Sequence, residues 1–389
     1  MNLTMGRRSA LALVPGFASL SIMMHHPGVA SAISTPAASP IPTNTLQALL
    51  DTAVASGLPG VNVGVSIGGG EFITVTAGLA SLERETPLAL GDTFRLYSIT
   101  KTFVAIVVLQ LIEEGVVSLD DVIPHWLDKP EVSAIPSIDE ITVRQLLTHT
   151  SGIFDYFDDE SPFLLDAFLG ESADWSRFWS VEELLGYSDG SRATPYFLPG
   201  EGRRYANTNY ILLGMIIEKA TGKSFSDELD SRILSPLGLR DTRFAGNDHV
   251  VSGTVDGYQL LDGDPANVTD TNLSWAWTAG GIVSTIGDLA IFAGAVFSGV
   301  LLQPESYDLM FAFDDVTGAI VEGMGLYSFA SPFGQIVGMD GESAGFSSCM
   351  FHVPEAAVTI VALANVAPGG EVFEALRDLA IAWAAAQAS

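Results

Sequence analysis

The chain has 389 residues, of which 48% are apolar, and its 17 Lys and Arg residues face 46 Asp and Glu residues, giving a formal net charge of −29. Nucleic acids and anionic membranes are bound through clusters of basic residues, so this charge argues strongly against both as partners. The single cysteine, Cys349, excludes an internal disulfide and a cysteine metal cluster, and no H-E-x-x-H motif occurs, so we expect no metal and no other cofactor.

Residues 1–32 have the pattern of an export signal. Arg7 and Arg8 supply a positive start, an apolar stretch follows, and small residues at 30–32 (ASA) stand at the cleavage spacing. The apolar stretch contains a proline and a glycine and is too short for a membrane anchor. We therefore expect a secreted or periplasmic protein with no stable membrane span; the alternative is a disordered cytosolic tail. Residues 33–43, rich in Pro, Ser, Thr and Ala, are predicted to be a linker.

The periodicity of the remaining chain predicts strands at both ends and helices between them. The early elements are a helix over 46–55, two strands over 61–67 and 72–77 joined by a glycine turn, and a helix from near Ser98 to Gly115. Residues 120–300 read as mainly helical, with one helix over 210–220. Strand patterns return over 325–330, 335–339, 346–353 and 357–363, before an amphipathic helix over 371–386. This order predicts an α+β fold with one sheet assembled from distant segments.

Ser98 and Lys101 are the strongest catalytic candidates. In a helix that begins near Ser98, positions i and i+3 share a face, so the hydroxyl and the amine can touch. A serine becomes a good nucleophile when a base takes its proton, and a lysine at a helix N-terminus is biased toward the neutral amine that can do so. The alternative is an N-cap serine with a solvated lysine one turn later.

Five further blocks follow the Ser98-x-x-Lys101 pair in a fixed order. They are residues 146–152 (LLTHTSG), 199–200 (PG), 205–214 (YANTNYILLG), 236–239 (PLGL) and 279–285 (AGGIVST). Together they resemble the serine β-lactamase and D-alanyl-D-alanine carboxypeptidase family, in the branch that holds class C β-lactamases, related esterases and D-aminopeptidases. The resemblance covers about 45–385 and implies a β-lactamase/transpeptidase-like fold. In that fold helices flank an antiparallel sheet, a helical subdomain (about 120–300) is inserted, and the whole forms a single domain over 44–387.

The same resemblance assigns roles to the candidate residues. Ser98 is the expected nucleophile, and Lys101 and Tyr205 share the proton transfers, since a phenol beside a cation ionises more easily. Asn207 is expected to bond both Lys101 and the amide oxygen of a substrate. Alone, Tyr205 reads as a packed aromatic and Asn207 as an N-cap. His149, at a turn after a helix, is expected to bond local backbone rather than to act as a base.

The third family motif departs from the usual Lys-Thr-Gly or His-x-Gly. Met339-Asp340-Gly341 stands there, followed by Glu342. Gly341 permits close approach of a substrate, and the resemblance gives the backbone N–H groups of Ser98 and Glu342 to the oxyanion hole. Methionine cannot bond a substrate carboxylate, and the Asp340 carboxylate repels one. These substitutions disfavour β-lactamase or carboxypeptidase action and favour ester or amide substrates that are neutral or cationic.

A competing motif overlaps this one. Residues 341–345 (GESAG) match the G-x-S-x-G nucleophile elbow around Ser343, but strand-like residues follow that serine and the acid required before His352 is absent. We interpret the match as accidental. The sequence thus predicts a secreted serine hydrolase that forms an acyl-enzyme on Ser98 and cleaves a small-molecule or short peptide or ester substrate. The alternative is a weak or inactive family member that binds a ligand.

Overall fold

The computed structural model describes residues 42–249, 252–261, 263–313, 320–331 and 334–369. The predicted export signal, nearly all of the linker and the predicted helix over 371–386 lie outside these ranges. Within them, no helix combines the length and the apolar character that crossing a bilayer requires.

The strands of the described residues fall mainly at the two ends of the chain. They are β1 (Gly60–Ile67), β2 (Ile73–Ser81), β3 (Thr86–Pro87), β4 (Phe94–Arg95), β5 (Arg243–Phe244), β6 (Tyr258–Leu261), β7 (Asp264–Asn267), β8 (Ile282–Ser284), β9 (Val321–Glu322), β10 (Tyr327–Ser331), β11 (Gly334–Ser343), β12 (Phe346–Val353), β13 (Val358–Ala364) and β14 (Val366–Ala367).

The α-helices lie mostly in the middle of the chain. They are α1 (Thr43–Ala55), α2 (Thr100–Glu113), α3 (Pro130–Ser133), α4 (Val143–Leu147), α5 (Pro162–Leu164), α6 (Val181–Leu185), α7 (Asn207–Thr221), α8 (Phe225–Leu229), α9 (Ser235–Leu237), α10 (Trp277–Gly280), α11 (Ile286–Ser298) and α12 (Pro304–Met310). Short 3₁₀ or π turns occur at Tyr97–Ile99, Ile123–His125, Leu165–Leu169, Asp230–Leu234 and Pro354–Ala356.

One eight-stranded sheet joins the two ends of the described chain. Its order is β3-β2-β1-β13-β12-β11-β10-β9, and its neighbouring strands are antiparallel. Strand β1 pairs with β13 in a register that sets Val61 opposite Ala364, so segments some three hundred residues apart are adjacent. The predicted α+β fold, with an antiparallel sheet from both chain ends and helices inserted between, is confirmed.

Both faces of the sheet are covered. Helix α1 packs Leu46 and Leu50 against the face that carries Val61, Val63 and Val65 of β1. The other face belongs to a larger cluster that includes α2, α7 and α11. Each face thus buries apolar side chains in its own layer, which is how a sheet with two apolar faces is stabilised.

Helix α2 lies inside the larger cluster and is apolar on nearly all sides. Eleven of its residues are buried, including Phe103 and Leu109, and the aromatic ring of Phe103 stacks on Phe292 of α11 at 3.5 Å. A helix that is hydrophobic all round belongs in a core rather than at a surface. Lys101, in the first turn of this helix, is therefore fully buried and surrounded by protein atoms.

The observed elements differ from the predicted ones in two places. The α-helix starts at Thr100, and Ser98 lies in the 3₁₀ turn that precedes it, so the hydroxyl sits at the helix entrance rather than within the first α-turn. The region 120–300 also holds four short strands, β5–β8. Strands of two to four residues are too short to show an alternating pattern, which explains why the sequence did not reveal them.

Candidate active site

Ser98 is held in a strained turn between β4 and α2. Tyr97, immediately before it, has φ 44°, a conformation that non-glycine residues seldom adopt. The buried Tyr97 ring lies 6.0 Å from that of Trp275, and its hydroxyl donates a hydrogen bond to the Ala344 carbonyl at 3.0 Å. These contacts hold a backbone conformation that would otherwise relax, and they fix where the Ser98 hydroxyl points.

The Lys101 side-chain nitrogen, Nζ, is surrounded by three oxygen atoms. Nζ lies 3.0 Å from Ser98 Oγ, 2.8 Å from Asn207 Oδ1 and 2.8 Å from the Ala279 carbonyl. A neutral amine has two N–H donors and one lone pair. Because the amide and carbonyl oxygens can only accept, they take both hydrogens, and the lone pair is left for the Ser98 hydroxyl proton. The geometry is that of a base facing its nucleophile.

Burial favours this neutral form of Lys101. Loss of solvation lowers the pKa of Lys101 to about 7, and the nearby carboxylates of Asp155 and Asp340 act in the opposite direction. Removal from water penalises a charged amine, whereas a negative neighbour stabilises it. The balance leaves a lysine that can give or take a proton near neutral pH.

Tyr205 completes the contacts of the nucleophile. Its hydroxyl lies 2.7 Å from Ser98 Oγ, and Lys101 Nζ is 4.8 Å from the centre of its ring. Burial raises the pKa of Tyr205 well above its usual value, and the hydrogen bond with Ser98 only partly offsets this. The expectation that a neighbouring cation makes this phenol ionise more easily is therefore wrong: desolvation raises its pKa by more than the Ser98 hydrogen bond lowers it, and the resting phenol keeps its proton.

His149 supports the segment that carries Tyr205 and Asn207. Its ring stacks on Tyr205 at 4.6 Å, and its Nδ1 accepts a hydrogen bond from the backbone N–H of Ala206 at 3.1 Å. Burial lowers the pKa of His149 well below 6.5, so the ring is neutral and can accept. The imidazole does bond backbone, but the backbone of a segment 57 residues away rather than its own turn.

Asn207 and Asp155 extend the network behind Lys101. Asn207 is the first residue of α7; its Oδ1 faces Lys101, and its Nδ2 donates to Asp155 Oδ2 at 2.9 Å. The bond to Lys101 was expected. The donor expected to face a substrate amide instead has one of its hydrogens committed to Asp155, a residue that the sequence did not single out. The one available signal is its position three residues after the LLTHTSG block.

The third motif lies on β11, beside the nucleophile turn. Met339 is buried in the larger core cluster, so its side chain packs rather than contacts a substrate. Glu342 Oε2 accepts hydrogen bonds from Ser347 Oγ at 2.9 Å and from the Gly369 backbone N–H at 2.8 Å. The Glu342 carboxylate is thus used in holding the strands together, and its backbone remains the part of it predicted to act in catalysis.

Gly341 is where β11 touches the nucleophile turn. A Cβ atom added there would lie 2.1 Å from the Leu96 carbonyl oxygen and 2.7 Å from the Ser98 backbone nitrogen. Ser348 Oγ on the neighbouring strand also donates to that Leu96 carbonyl at 2.7 Å. Only glycine allows the strand and the turn to approach this closely. The Ser98 N–H is thereby set next to the strand that carries Glu342.

Asp340 is the exposed member of the motif. Loss of surrounding water in the site raises the pKa of Asp340 to about 6, a hydrogen bond from Tyr327 lowers it, and the Glu342 carboxylate raises it further. Its charge also acts on the pKa of both Lys101 and Tyr205, which places it on the open side of the catalytic group.

The competing motif has a different geometry from a nucleophile elbow. Ser343 is the last residue of β11, is buried, and pairs with Phe346 across a tight turn into β12, where a helix would be needed. Cys349 is buried within β12. Across the described ranges, no group of three or more His, Cys, Asp or Glu side chains is arranged to hold a metal ion.

Comparison with known families gives one match over most of the chain. A family model described as Beta-lactamase matches residues 46–384. Among curated proteins, the chain is 28% identical over 305 residues to penicillin-binding protein 4* of Bacillus subtilis, covering 74% of this chain and 64% of that protein. It is 33% identical over 170 residues to esterase EstB of Burkholderia gladioli, covering 43% of this chain and 42% of the esterase. The matches thus span less than two thirds of each relative.

Solved structures are similar to this chain over a larger share of their own length than the curated proteins are. A D-stereospecific amidohydrolase from a Streptomyces species superposes with a TM-score of 0.74 at 30% identity, over 86% of this chain and 98% of that one. A D-amino acid amidase from Ochrobactrum anthropi, solved with L-phenylalanine amide, gives a TM-score of 0.71 at 30% identity, over 83% and 91%. Most of this chain therefore shares the fold of these two structures.

Proposed function

The chain belongs to the β-lactamase family, and we propose that it is a serine hydrolase that cleaves an ester or amide bond through an acyl-enzyme on Ser98. One observation carries the proposal: Ser98 Oγ lies within hydrogen-bond distance of both Lys101 Nζ and Tyr205 Oη. A nucleophile in contact with a neutral amine and a neutral phenol has both a proton acceptor and a proton donor at hand.

The steps follow from these contacts. Ser98 Oγ attacks the substrate carbonyl while its proton passes to the lone pair of Lys101. The backbone N–H groups of Ser98 and Glu342 stabilise the negative oxygen of the tetrahedral intermediate. The intermediate collapses when the Tyr205 hydroxyl donates a proton to the leaving group. The Lys101 ammonium then donates a proton to Tyr205 and becomes neutral again. Water then attacks the acyl-enzyme while the same residues transfer protons in the reverse direction. This step releases the acyl product and restores the Ser98 hydroxyl.

The charge of the site supports neutral or cationic substrates. Asp340 occupies the position where the family commonly has a threonine hydroxyl, and the buried Met339 offers no cation or polar donor. A carboxylate at the open side of the site repels an anionic substrate and attracts a cationic one. The esterase and amidase names of the similar proteins support an ester or amide bond as the one cleaved.

Replacement of the two candidate serines tests the proposal. Ser98→Ala should abolish hydrolysis of a p-nitrophenyl ester, a loss of several orders of magnitude. Ser343→Ala is the matched control, because it removes the hydroxyl of the competing motif, at the buried end of β11, and should keep most of the activity. A fluorophosphonate probe should label Ser98 stoichiometrically, as read by peptide mass spectrometry.

The reverse pattern of activity would overturn the assignment to Ser98. Folded protein that neither turns over esters nor is labelled at Ser98 would instead support the alternative, a ligand-binding member of the family. Its motivation is the replacement of the third motif by Met339 and Asp340.

We also propose that the protein is exported to the periplasm or beyond. The support is the sequence pattern over 1–32, with its basic start, apolar stretch and small residues at the cleavage spacing. N-terminal sequencing of protein recovered outside the cytoplasm should give a mature chain that begins near Ile33. Accumulation of the uncleaved chain in the cytoplasm of its native host would contradict this.

A further inference from the structure

Asp155 is a buried acid that lies outside the Ser98, Tyr205 and third-motif blocks. It is 5% exposed, and both of its carboxylate oxygens accept hydrogen bonds: Oδ1 from the Phe157 backbone N–H at 3.1 Å and Oδ2 from Asn207 Nδ2 at 2.9 Å. Its own backbone N–H donates to the Tyr196 hydroxyl at 3.1 Å. A buried carboxylate costs free energy unless such partners offset its desolvation. The position of Asp155 therefore needs a structural or functional explanation.

The first consequence concerns the orientation of Asn207. An amide side chain has one accepting oxygen and one donating nitrogen, and either can point toward a given neighbour. A carboxylate can only accept, so Asp155 fixes the nitrogen on its own side and turns Oδ1 toward Lys101. In the flipped arrangement, the amide oxygen would face the carboxylate and the NH₂ group would face the amine. Asp155 therefore decides which atom of Asn207 meets the base.

The second consequence concerns charge. When Lys101 takes the Ser98 proton, an ammonium ion forms on a side chain that has no exposed surface. An unpaired buried cation is costly, and a carboxylate linked to it through one amide reduces that cost. The arrangement follows the logic of a Ser-His-Asp triad, in which a third group orients the base and stabilises its charged form.

We propose that Asp155 is the positioning residue of the base: through Asn207 it orients Lys101 and provides the negative charge that stabilises the ammonium formed during acylation. This inference rests on the proposed function. The chain of contacts runs Asp155, Asn207, Lys101, Ser98 and Tyr205, each link being a hydrogen bond between 2.7 and 3.0 Å.

The mutual influence of the two charges agrees with this role. Burial lowers the pKa of Lys101 to about 7 and raises that of Asp155 to about 6, and each charge partly offsets the shift of the other. Other ionisable groups also act on the pair from the surrounding elements. They are Asp340 on β11, Tyr205, Tyr210 on α7, His149, Tyr156 and Tyr196. The phenols have raised pKa values and His149 is neutral, so Asp340 is the other anion acting on Lys101 within the described ranges.

The test is the pH profile of Asp155→Asn, which keeps the shape and removes the charge. With a neutral ester as substrate, kcat/KM of the wild type should rise with pH through about 7, as Lys101 loses its proton. Without the carboxylate the ammonium is less stable, so the acidic limb should move to lower pH. The plateau kcat should fall on the order of 10²-fold, because an amide at this position can donate as well as accept and no longer forces Asn207 Oδ1 toward Lys101, while KM changes little.

Asp256→Asn is the matched control. Asp256 is also buried, and its carboxylate pairs with Arg84 at 2.9 Å, remote from the hydrogen bonds that join the catalytic residues in the described part of the chain. The acidic limb of the kcat/KM pH profile and the plateau kcat of this variant should match those of the wild type. Asp155→Ser provides a second variant should the asparagine variant not fold, with circular dichroism reporting folding in each.

The outcomes separate the inference from the proposed function. An Asp155→Asn enzyme with an unshifted limb and wild-type kcat, beside an inactive Ser98→Ala enzyme, overturns only the role of Asp155. Loss of folding in both Asp155 variants overturns it as well, in favour of a structural role. An active Ser98→Ala enzyme overturns the proposed function and this inference together.

Discussion

At the scale of single residues, Lys101 has to be uncharged at rest and charged for part of each catalytic cycle. Burial on every side favours the neutral amine, whereas the carboxylates of Asp155 and Asp340 favour the ammonium. A base is most effective when its pKa lies near the working pH, since it must then both accept and release a proton. The opposed effects in this site bring the pKa of Lys101 to about 7.

Asp340 is the residue whose charge a substrate meets. Its carboxyl is exposed, in contrast to the fully buried Asp155, so it can act on the substrate as well as on the base. With a pKa of about 6, it is charged above that pH and neutral below it. Any preference for a cationic substrate should therefore be present at neutral pH and decline as the pH falls through about 6.

Asp340→Asn should reduce this preference. The measurement is the ratio of kcat/KM for an amino-acid p-nitroanilide with a free amine to that for its N-acetylated form. In the wild type this ratio should fall between pH 7 and 5, and in the variant it should be lower by about fivefold to tenfold at pH 7 and flatter with pH. Because the ratio compares two substrates on one enzyme, the titration of Lys101 cancels.

Asp51→Asn is the control for this experiment, since Asp51 is an exposed acid on α1, against the opposite face of the sheet. It should leave the ratio unchanged. A ratio that is the same in the wild type and in Asp340→Asn at every pH would remove Asp340 from substrate selection.

At the scale of secondary structure elements, the site depends on how closely β11 approaches the nucleophile turn. The turn at Tyr97–Ile99 is positioned by β4 before it and α2 after it, and β11 packs directly against it. Gly341 allows this contact because it has no side chain. The same contact brings two pieces of backbone together, the Ser98 N–H and the strand that continues to Glu342.

Gly341→Ala should impair both catalysis and folding. The new Cβ would stand 2.1 Å from the Leu96 carbonyl oxygen and 2.7 Å from the Ser98 nitrogen, so the turn must move. We expect kcat/KM to fall on the order of 10²-fold and the free energy of unfolding to fall by about 1–3 kcal/mol. Ester hydrolysis and urea denaturation measure the two effects.

Gly91→Ala is the matched control for Gly341→Ala, because an alanine Cβ at Gly91 contacts none of the described residues. It should leave both the activity and the urea midpoint near wild type. Wild-type kcat/KM in Gly341→Ala would show that the turn tolerates displacement and that the close approach has no catalytic purpose.

Elements with a long, regular pattern could be predicted from the sequence. The strand predicted over 346–353 matches β12, and the helix expected to end at Gly115 stops just before it, where Gly115 has φ 70°. These segments combine clear periodicity with a glycine that permits a left-handed residue. The two-residue strands β4 and β5 carry no such signal, because tertiary pairing alone creates them.

The same distinction applies to the site. Ser98 and Lys101 could be paired from the sequence, because a separation of three residues in a helical segment brings their side chains together. Tyr205 and Asn207 could be identified from a motif. Asp155 is 52 residues from Asn207, in a loop and among 46 acidic residues. No periodicity connects residues so far apart, so their contact becomes visible only when the loop is folded against α7.

At the scale of the whole molecule, a buried lysine makes stability depend on pH. In the unfolded chain a lysine has a pKa of about 10.4. In the folded protein the pKa of Lys101 is about 7, so between these values the unfolded state binds a proton that the folded state does not. Stability must therefore rise with pH across this window, whereas below pH 7 both states are protonated and the cost of the buried charge is constant.

Lys101→Met removes this dependence. Between pH 7.5 and 9.5 the free energy of unfolding of the wild type should rise relative to the variant by about 1.4 kcal/mol per pH unit. The variant also leaves Asn207 Oδ1 and the Ala279 carbonyl without their donor, but that cost does not vary with pH and shifts the curve without changing its slope. Urea denaturation at several pH values measures the difference.

Lys129→Met separates this effect from the general loss of a lysine. Lys129 is exposed and pairs with Glu182 at 2.7 Å, which raises the pKa of Lys129 instead of lowering it. A raised pKa contributes stability that disappears only above about pH 10, so this variant should stay parallel to the wild type from pH 7.5 to 9.5. If Lys101→Met is parallel as well, Lys101 is charged in the folded protein, and the neutral base that acylation needs is not its resting form.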